Sequence, residues 1–515
     1  MKAEYVLSID IGTTGCKTVL ADVNGNIVAK AFKEYVTYTP KPGYSEQDPK
    51  DWWEAVVETI KSVISQSKVD PKEDIIGLGF SGTLGGVLPI DKNGNLLMER
   101  VIHYSDMRAI DQCEFLRKVL GEEFLYNTTG NPLLPIPSLV KWLWIKDNKP
   151  EVFEKTYKFL HPKDYMVFKT TGEISTDYVV ASSTMAFDLV KRCWSEEILE
   201  TVKIPVDKLP MPQYSMEIAG ELKDNIAKEL GLRAGLPVIV GSGDTGALLV
   251  GAGVIKNRYA VCYLGSAAEI DLASNKPFLD PKMRVPIRCH AIPDMWFGSA
   301  TSLTAGIALK WFRNEFCELE MMFEKKFGVD AYKLLDKQAE KVPIGSRGLI
   351  FLPYLLGERS PISDPKARGA FIGISLSNKR EDFFRAMLEG ISFTLRHNLE
   401  TYREMNMAPI DLRMCGGGAK SSLWRKIIVN VLGMECKLLE NPGETTAVGI
   451  AACILTGVKI YDNIEKAVEN FVKIKGVEKP VFEEYEKYDK LFKIYLKCYP
   501  ALREIMHALY DISRK

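Results

Sequence analysis

Apolar residues cluster at 4–10, 16–22 and 26–34, and small or polar residues break the pattern at Gly12, Thr13, Thr14 and Gly15 and again at Asn24 and Gly25. This alternation predicts strand, turn, strand, Asn-Gly turn, strand: a meander. A change of period follows. Trp53, Val56, Val57, Ile60 and Ile64 recur at helical spacing, behind Asp48 as N-cap, Pro49 in the first turn and Asp51 at the capping-box position. Residues 75–80 predict another short strand, ending in Ser81-Gly82-Thr83-Leu84-Gly85-Gly86.

The second half repeats the logic. Residues 237–240 predict a buried strand before Gly241-Ser242-Gly243-Asp244-Thr245-Gly246, and 260–264 lead through Gly265-Ser266-Ala267-Ala268-Glu269 into a strand at 270–273. That strand, small-residue turn, strand unit weakly echoes residues 6–20. Alternating strands and helices predict an α/β architecture. The echo predicts two similar domains facing each other across a nucleotide, with a boundary near 247–258. Residues 1–250 form the first lobe, 256–457 the second, and 458–515, rich in Lys, Glu and Tyr, a helical tail on the second lobe.

Composition narrows the class. At 515 residues the chain exceeds one ordinary core. Lys plus Arg equals Asp plus Glu at 67 each, which gives no electrostatic ground for nucleic acid or an anionic membrane as partner. Ten scattered cysteines form no CxxC pair and no zinc spacing, as expected of reduced, buried thiols in a cytoplasmic protein. No signal peptide is expected, and no window approaches the roughly 18 apolar residues of a membrane span. The five histidines lack metal spacing and read as packing or surface residues.

The turn after the first strand carries the first chemistry. Gly12 and Gly15 permit positive φ and close backbone approach. The turn amides and the Thr13 and Thr14 hydroxyls can converge on phosphate oxygens. Asp10 ends the strand where a metal bridging those phosphates needs a carboxylate, although an ordinary turn aspartate is the competing reading. Lys17 opens the next strand. Gly416, Gly417 and Gly418, with Ala419, Lys420 and Ser421, form either a plain strand-to-helix loop or a surface against which a flat ligand lies. Residues 241–246 fit GxGxxG literally, the dinucleotide fingerprint, with Glu269 near the place of a ribose-binding acid. Asp244 would repel a pyrophosphate there. It suits a second role instead, accepting the proton of an attacking hydroxyl. No Walker A sequence occurs.

Together these motifs resemble the FGGY carbohydrate kinases of the actin-like ATPase superfamily, over nearly the whole chain. Gly369-Ala370-Phe371-Ile372-Gly373-Ile374, then Asp382, Phe383, Ala386, Met387, Leu388 and Glu389, match the family's second signature. Ser138, Lys141, Trp142 and Trp144 match the first, with Ile136 where another residue type is usual. His161-Pro162-Lys163-Asp164-Tyr165 with Thr176 and Asp177, and Tyr354-Leu355-Leu356-Gly357-Glu358-Arg359, look most like xylulokinases. The resemblance implies an α/β, two-lobed actin-like ATPase (ribonuclease H-like) fold with a nucleotide cleft between the lobes. It implies ATP and Mg2+ as co-reactants, a small carbohydrate as acceptor, and a homodimer. By position it makes Asp244 the catalytic base and Asp10 the organiser of magnesium. Gly12, Thr13, Thr14 and Lys17 hold phosphates, and Gly265 and Ser266 form a second phosphate loop. Gly306 and Lys310 line the nucleotide cleft, while Gly417, Gly418 and Ala419 take the adenosine, with residues 444–449 nearby.

The sugar pocket departs from the family pattern. Thr83-Leu84-Gly85 stand where xylulokinases carry Gln-Met-His, Tyr104 replaces a Trp, and Thr245 replaces the Asn after the base. Losing polar partners alters discrimination among sugars. Thr83, Leu84, Tyr104, Asp106, Arg108, Asp244 and Thr245 are the pocket candidates. The regions 290–311 and 345–348 are also similar to the family's autoinducer kinases, so a ketose, a polyol and a dihydroxypentanedione all stand as acceptors. A dinucleotide-dependent oxidoreductase and a non-enzymatic ATP switch are the readings from other classes.

Overall fold

The chain opens with two strands whose residues are buried almost without interruption, as a central sheet position demands, and a third, largely exposed strand at the sheet edge. The computed structural model describes residues 4–513. Strand β1 (Tyr5–Ile11) pairs antiparallel with β2 (Gly15–Asp22), which pairs antiparallel with β3 (Ile27–Glu34). The Asn-Gly turn forms as expected: Gly25 has φ +86°, and Asp22 accepts from the amides of Asn24 and Asn26. Helix α1 (Pro49–Gln66) starts behind Asp48, whose side chain accepts from the Lys50 amide at 2.8 Å. Its fully buried stripe is Trp52, Val56, Ile60 and Val63, so Val57 and Ile64 lie on the shoulder of the face rather than at its centre.

Strand β4 (Ile75–Gly82) lies parallel to β1, and the sheet is completed by β5 (Ile218–Glu221) and β6 (Pro237–Ile239) in the order β5-β6-β4-β1-β2-β3. A two-residue strand, Ser242–Gly243, also pairs parallel with β4 and runs directly into helix α2 (Asp244–Gly251). The chain folds into two compact units. The first comprises Met1–Asn257, Ala273–Phe297 and Glu444–Lys473; the second comprises Arg258–Leu272, Gly298–Gly443 and Ile474–Lys515.

The second sheet is built on the same plan. Strand β7 (Tyr259–Leu264) pairs antiparallel with β8 (Ala268–Ser274), beside which lies β9 (Trp296–Ser302). On its other side β7 is parallel to β10 (Asp411–Cys415), followed by β11 (Cys436–Leu439) and β12 (Ile474–Glu478). The order β10-β7-β8-β9 therefore repeats β4-β1-β2-β3: a parallel neighbour, the hairpin, then a further strand.

Two findings modify the sequence reading. Residues 474–478 form strand β12 inside the segment expected to be helical. It is an edge strand, and Lys473, Lys475 and Lys479 around it give the charged character that exposed edges carry. The segment Glu444–Lys473 folds into the first unit. Helix Thr445–Gly457 crosses α2 there so closely that a Cβ on Gly251 would sit 1.8 Å from the Thr445 carbonyl oxygen, and one on Gly449 would sit 1.9 Å from that of Ala247. The long C-terminal helix Phe482–Ser513 packs within the second unit, where Tyr495 shares hydrogen bonds with Tyr354 and Thr394. Eight cysteines are buried, whereas Cys193 is exposed and Cys498 half-buried.

Candidate active site

In the first unit, strand register gathers the predicted residues. Asp10 pairs with Ser81 across the parallel strands, and Ser81 pairs with Ser242. Asp10, Ser81 and Ser242 thus form one row at the C-terminal ends of parallel strands, where open α/β sheets present their ligands. The Ser81 hydroxyl donates to Asp10 Oδ1 at 2.7 Å. Lys17 is the cross-strand partner of Asp10 on β2. Burial pushes the Asp10 carboxyl above its ordinary value, and the Ser81 hydrogen bond and the Lys17 charge pull it back.

The turn between β1 and β2 leaves Thr13 and Thr14 exposed at its tip. It is held from beneath. Gly12 N–H donates to the Gly15 carbonyl, Tyr35 Oη donates to the Gly12 carbonyl, and Gln47 Nε2 donates to the Thr13 carbonyl at 2.9 Å. Trp52 Nε1 in turn donates to Gln47 Oε1 at 3.1 Å. Neither Gly12 nor Gly15 adopts positive φ, contrary to the sequence expectation. Close approach is what Gly15 supplies, since a Cβ there would lie 2.4 Å from the Lys33 carbonyl oxygen. Gln47 and Tyr35 were invisible as site residues, because their contribution depends on contacts distant in sequence.

Asp244 is the first residue of α2 and half-buried, and its Oδ1 accepts from the Thr245 amide at 2.7 Å and from the Thr245 hydroxyl at 3.3 Å. The glycines before it serve packing. Gly241 has φ +74°, and a Cβ on Gly243 would meet the Leu84 side chain at 2.4 Å. Leu84 therefore lies against the root of the Asp244 helix. The strand after α2, β7, joins the other sheet, so no βαβ unit surrounds the GxGxxG sequence and the dinucleotide fingerprint lacks its structural context.

Below Ser242 and Gly243 sits a fully buried charge cluster. Lys163 Nζ lies 2.6 Å from Asp164 and 3.1 Å from Asp177. Asp177 accepts from the Ser242 hydroxyl and the Gly243 amide, both at 3.4 Å. Burial raises the Asp177 carboxyl, with Lys163 opposing. Burial also acts to raise Asp164, yet Lys163 and a hydrogen bond from His161 hold it below the usual range.

The remaining pocket candidates are tightly bound to one another. Asp106 is fully buried and accepts from the Ser45 amide and from the Arg108 amide and guanidinium. Arg108 also pairs with Glu46 at 2.6 Å and lies over the Tyr44 ring. Thr83 N–H donates to the Ile11 carbonyl, and Thr13 Oγ1 donates to Tyr104 Oη at 3.4 Å. The β1–β2 turn and the loops that carry the pocket candidates are thus in contact.

The second unit collects its own set. The Ala305 and Ile307 amides donate to the Ser266 carbonyl, and the Gly306 amide donates to that of Gly265. A Cβ on Gly306 would sit 2.5 Å from the Gly265 carbonyl oxygen. Gly306 opens helix α3 (Gly306–Phe316), and Lys310 is exposed one turn later. Because Tyr263 pairs with Cys415, the glycines after β10 emerge beside those after β7, and Gly416 packs on Leu264. Gly417 is exposed with open space where a Cβ would be, Gly418 rests against Trp424, and Ala419 is buried.

Comparison with known proteins agrees over the full length. Residues 5–251 match the N-terminal domain, and residues 272–457 the C-terminal domain, of the FGGY family of carbohydrate kinases. Xylulose kinase of Bacillus subtilis is 32% identical over 506 residues, covering 98% of this chain and 99% of the relative. Gluconokinase of the same organism is 31% identical over 514 residues, covering 99% and 98%. The crystal structure of ligand-bound xylulose kinase from Lactobacillus acidophilus superposes with a TM-score of 0.88 at 27% identity, covering 97% of this chain and 98% of that one. No helix among the described residues is long and apolar enough to cross a membrane. Two sheets of one plan, the glycine turns they carry and matches in both halves lead to one conclusion: the chain belongs to the FGGY family of carbohydrate kinases, and it is an ATP-dependent sugar kinase.

Proposed function

We propose that the enzyme transfers the ATP γ-phosphoryl group to a hydroxyl of a small, uncharged ketose or polyol, with Asp244 as the base. The observation that carries this reading is the row Asp10, Ser81, Ser242, which leads into Asp244 at the start of α2. That row supports the reading because it would put one carboxylate beside a phosphate-binding turn and another beside an entering acceptor hydroxyl. Asp10 suits Mg2+: one carboxylate, one oxygen of which already takes the Ser81 hydroxyl, leaves coordination for phosphate oxygens and water. Bound there, the ion would offset charge on the transferring phosphoryl group.

An uncharged acceptor is favoured over a sugar acid because two cations beside the candidate pocket, Arg108 on one loop and Lys141 on the helix behind both, are committed. Arg108 serves Asp106 and Glu46, and Lys141 serves three backbone carbonyls. Neither is available to pair with a substrate carboxylate. The similarity to a gluconokinase makes a sugar acid the competing acceptor.

The test is ADP release from Mg-ATP across ketoses, polyols, sugar acids and dihydroxypentanedione, with Asp244→Ala as control. Stimulation by one uncharged compound, lost in the variant, is the expected result. Selective stimulation by a sugar acid would refute the acceptor assignment. Full turnover in the variant would refute the base.

A further inference from the structure

Lys141 lies on the helix Ser138–Asn148 and is completely buried. Its Nζ reaches the carbonyl oxygens of Gly85 at 2.7 Å, His103 at 2.9 Å and Tyr104 at 3.2 Å. An ammonium has three donors, and here three acceptors surround it. Those carbonyls belong to two successive loops, at Gly85 and at His103–Tyr104. One carries Thr83 and Leu84; the other carries Tyr104 and leads into Asp106.

The two loops also meet where the Val87 N–H donates to the Ile102 carbonyl, and the second is held to its neighbours by the His103 N–H on the Ser45 carbonyl and the Ser45 N–H on Asp106; Lys141 adds a buried cation that grips both loops at once. Gly85 takes φ +76°, and a Cβ on it would sit 3.4 Å from that of Tyr104. The tolerances are therefore small: a displacement of one loop moves the other. Tyr104 then passes the constraint on, because its hydroxyl accepts from Thr13 in the phosphate turn.

We propose that Lys141 is a positioning residue for acceptor binding, an ammonium clamp that ties the two pocket loops together and sets them against the phosphate turn. This rests on the assignment of those loops to the acceptor pocket. Lys141 touches no reacting atom in this arrangement; it acts through Gly85, His103 and Tyr104.

The charged and titratable groups around it are Asp106, Arg108 and His103. Burial pulls the Lys141 ammonium down to about 7; Asp106 opposes this and Arg108 adds to it. Burial holds His103 at about 3, so that ring is neutral throughout the working range. Deprotonation of Lys141 leaves two donors and a lone pair facing three carbonyls. The clamp is thus complete at low pH and weakens as pH rises through about 7.

The experiment measures KM for the acceptor and KM for Mg-ATP separately, from pH 6 to 9, in the wild type, Lys141→Met, Lys141→Arg and Tyr104→Ala. The clamp predicts a rise of about tenfold or more in acceptor KM for Lys141→Met, partial recovery in Lys141→Arg, and Mg-ATP KM within about threefold throughout. It also predicts that the wild-type acceptor KM climbs above neutral pH while that for Mg-ATP stays level. An unchanged acceptor KM in Lys141→Met overturns the proposal. If that variant fails to fold, a wild-type acceptor KM that is flat with pH overturns it instead. Tyr104→Ala separates the two levels: a normal acceptor KM there refutes the pocket assignment itself, whereas a raised one beside a normal Lys141→Met refutes only the clamp.

Discussion

The two hairpins β1–β2 and β7–β8 share a fold plan and differ in charge. Each is an antiparallel pair closed by a small-residue turn, with the first strand parallel to a neighbour. One step before the last strand residue, the first hairpin pairs Asp10 with Lys17, and the second pairs Tyr263 with Glu269. The carboxylate that faces the turn in the first has an aromatic in its place in the second. Under the proposed function, similar backbones would divide the work: the first turn would handle the charge of the phosphoryl group and its cation, and the second would offer backbone amides and small residues. Homology of shape does not carry homology of chemistry.

Experiments can break this contrast. The largest effect is expected beyond both hairpins, at Asp244. Asp244→Asn should lower kcat about a thousandfold with KM for Mg-ATP little changed, measured by steady-state kinetics. A smaller kcat loss with a large ATP effect would move Asp244 from base to nucleotide ligand. Next comes the paired test. Asp10→Asn should cost about a hundredfold in kcat and demand more Mg2+, while Tyr263→Phe at the matching position should cost less than about threefold. Similar losses at both positions would erase the division of labour.

The smallest effects concern stability. A Cβ at Gly15 meets the rigid Lys33 carbonyl, whereas one at Gly265 meets the far end of the Tyr263 side chain, which can turn aside. Gly15→Ala should therefore destabilise by about 1–3 kcal/mol and Gly265→Ala by less than about 1 kcal/mol. Thermal melting of the two variants checks the order, and a reversal would mean that the Tyr263 ring is the more firmly held obstacle.

Much of this was legible along the chain. The meander, the Asn-Gly turn and the Asp48 cap follow from local rules, and each forms as expected. Asp10 and Asp244 stand at strand and helix ends, where punctuation by glycine is easy to read. What holds them was not legible. Gln47 under Thr13, Asp177 under Gly243 and Lys141 between two loops act across 34, 66 and 56 positions of sequence. Their meaning lies in burial and in the partners that burial forces on them. Strand β12 was missed because an edge strand rich in lysine has the composition of a solvated helix face.

The contact between α2 and helix Thr445–Gly457 bears on how variation in this enzyme will be read. Gly251 lies seven residues from Asp244 along one helix, on the order of 10 Å at 1.5 Å per residue. No side chain fits at the crossing, because a Cβ at either Gly251 or Gly449 would overlap a carbonyl oxygen of the other helix. A methyl group there is a wedge under one end of a lever whose other end carries Asp244, the proposed base. In a library screened for sugar phosphorylation, both positions should score as intolerant as Asp244, and a purified Gly251→Ala protein that kept its ATP affinity but lost turnover would identify the cause as misaim rather than unfolding.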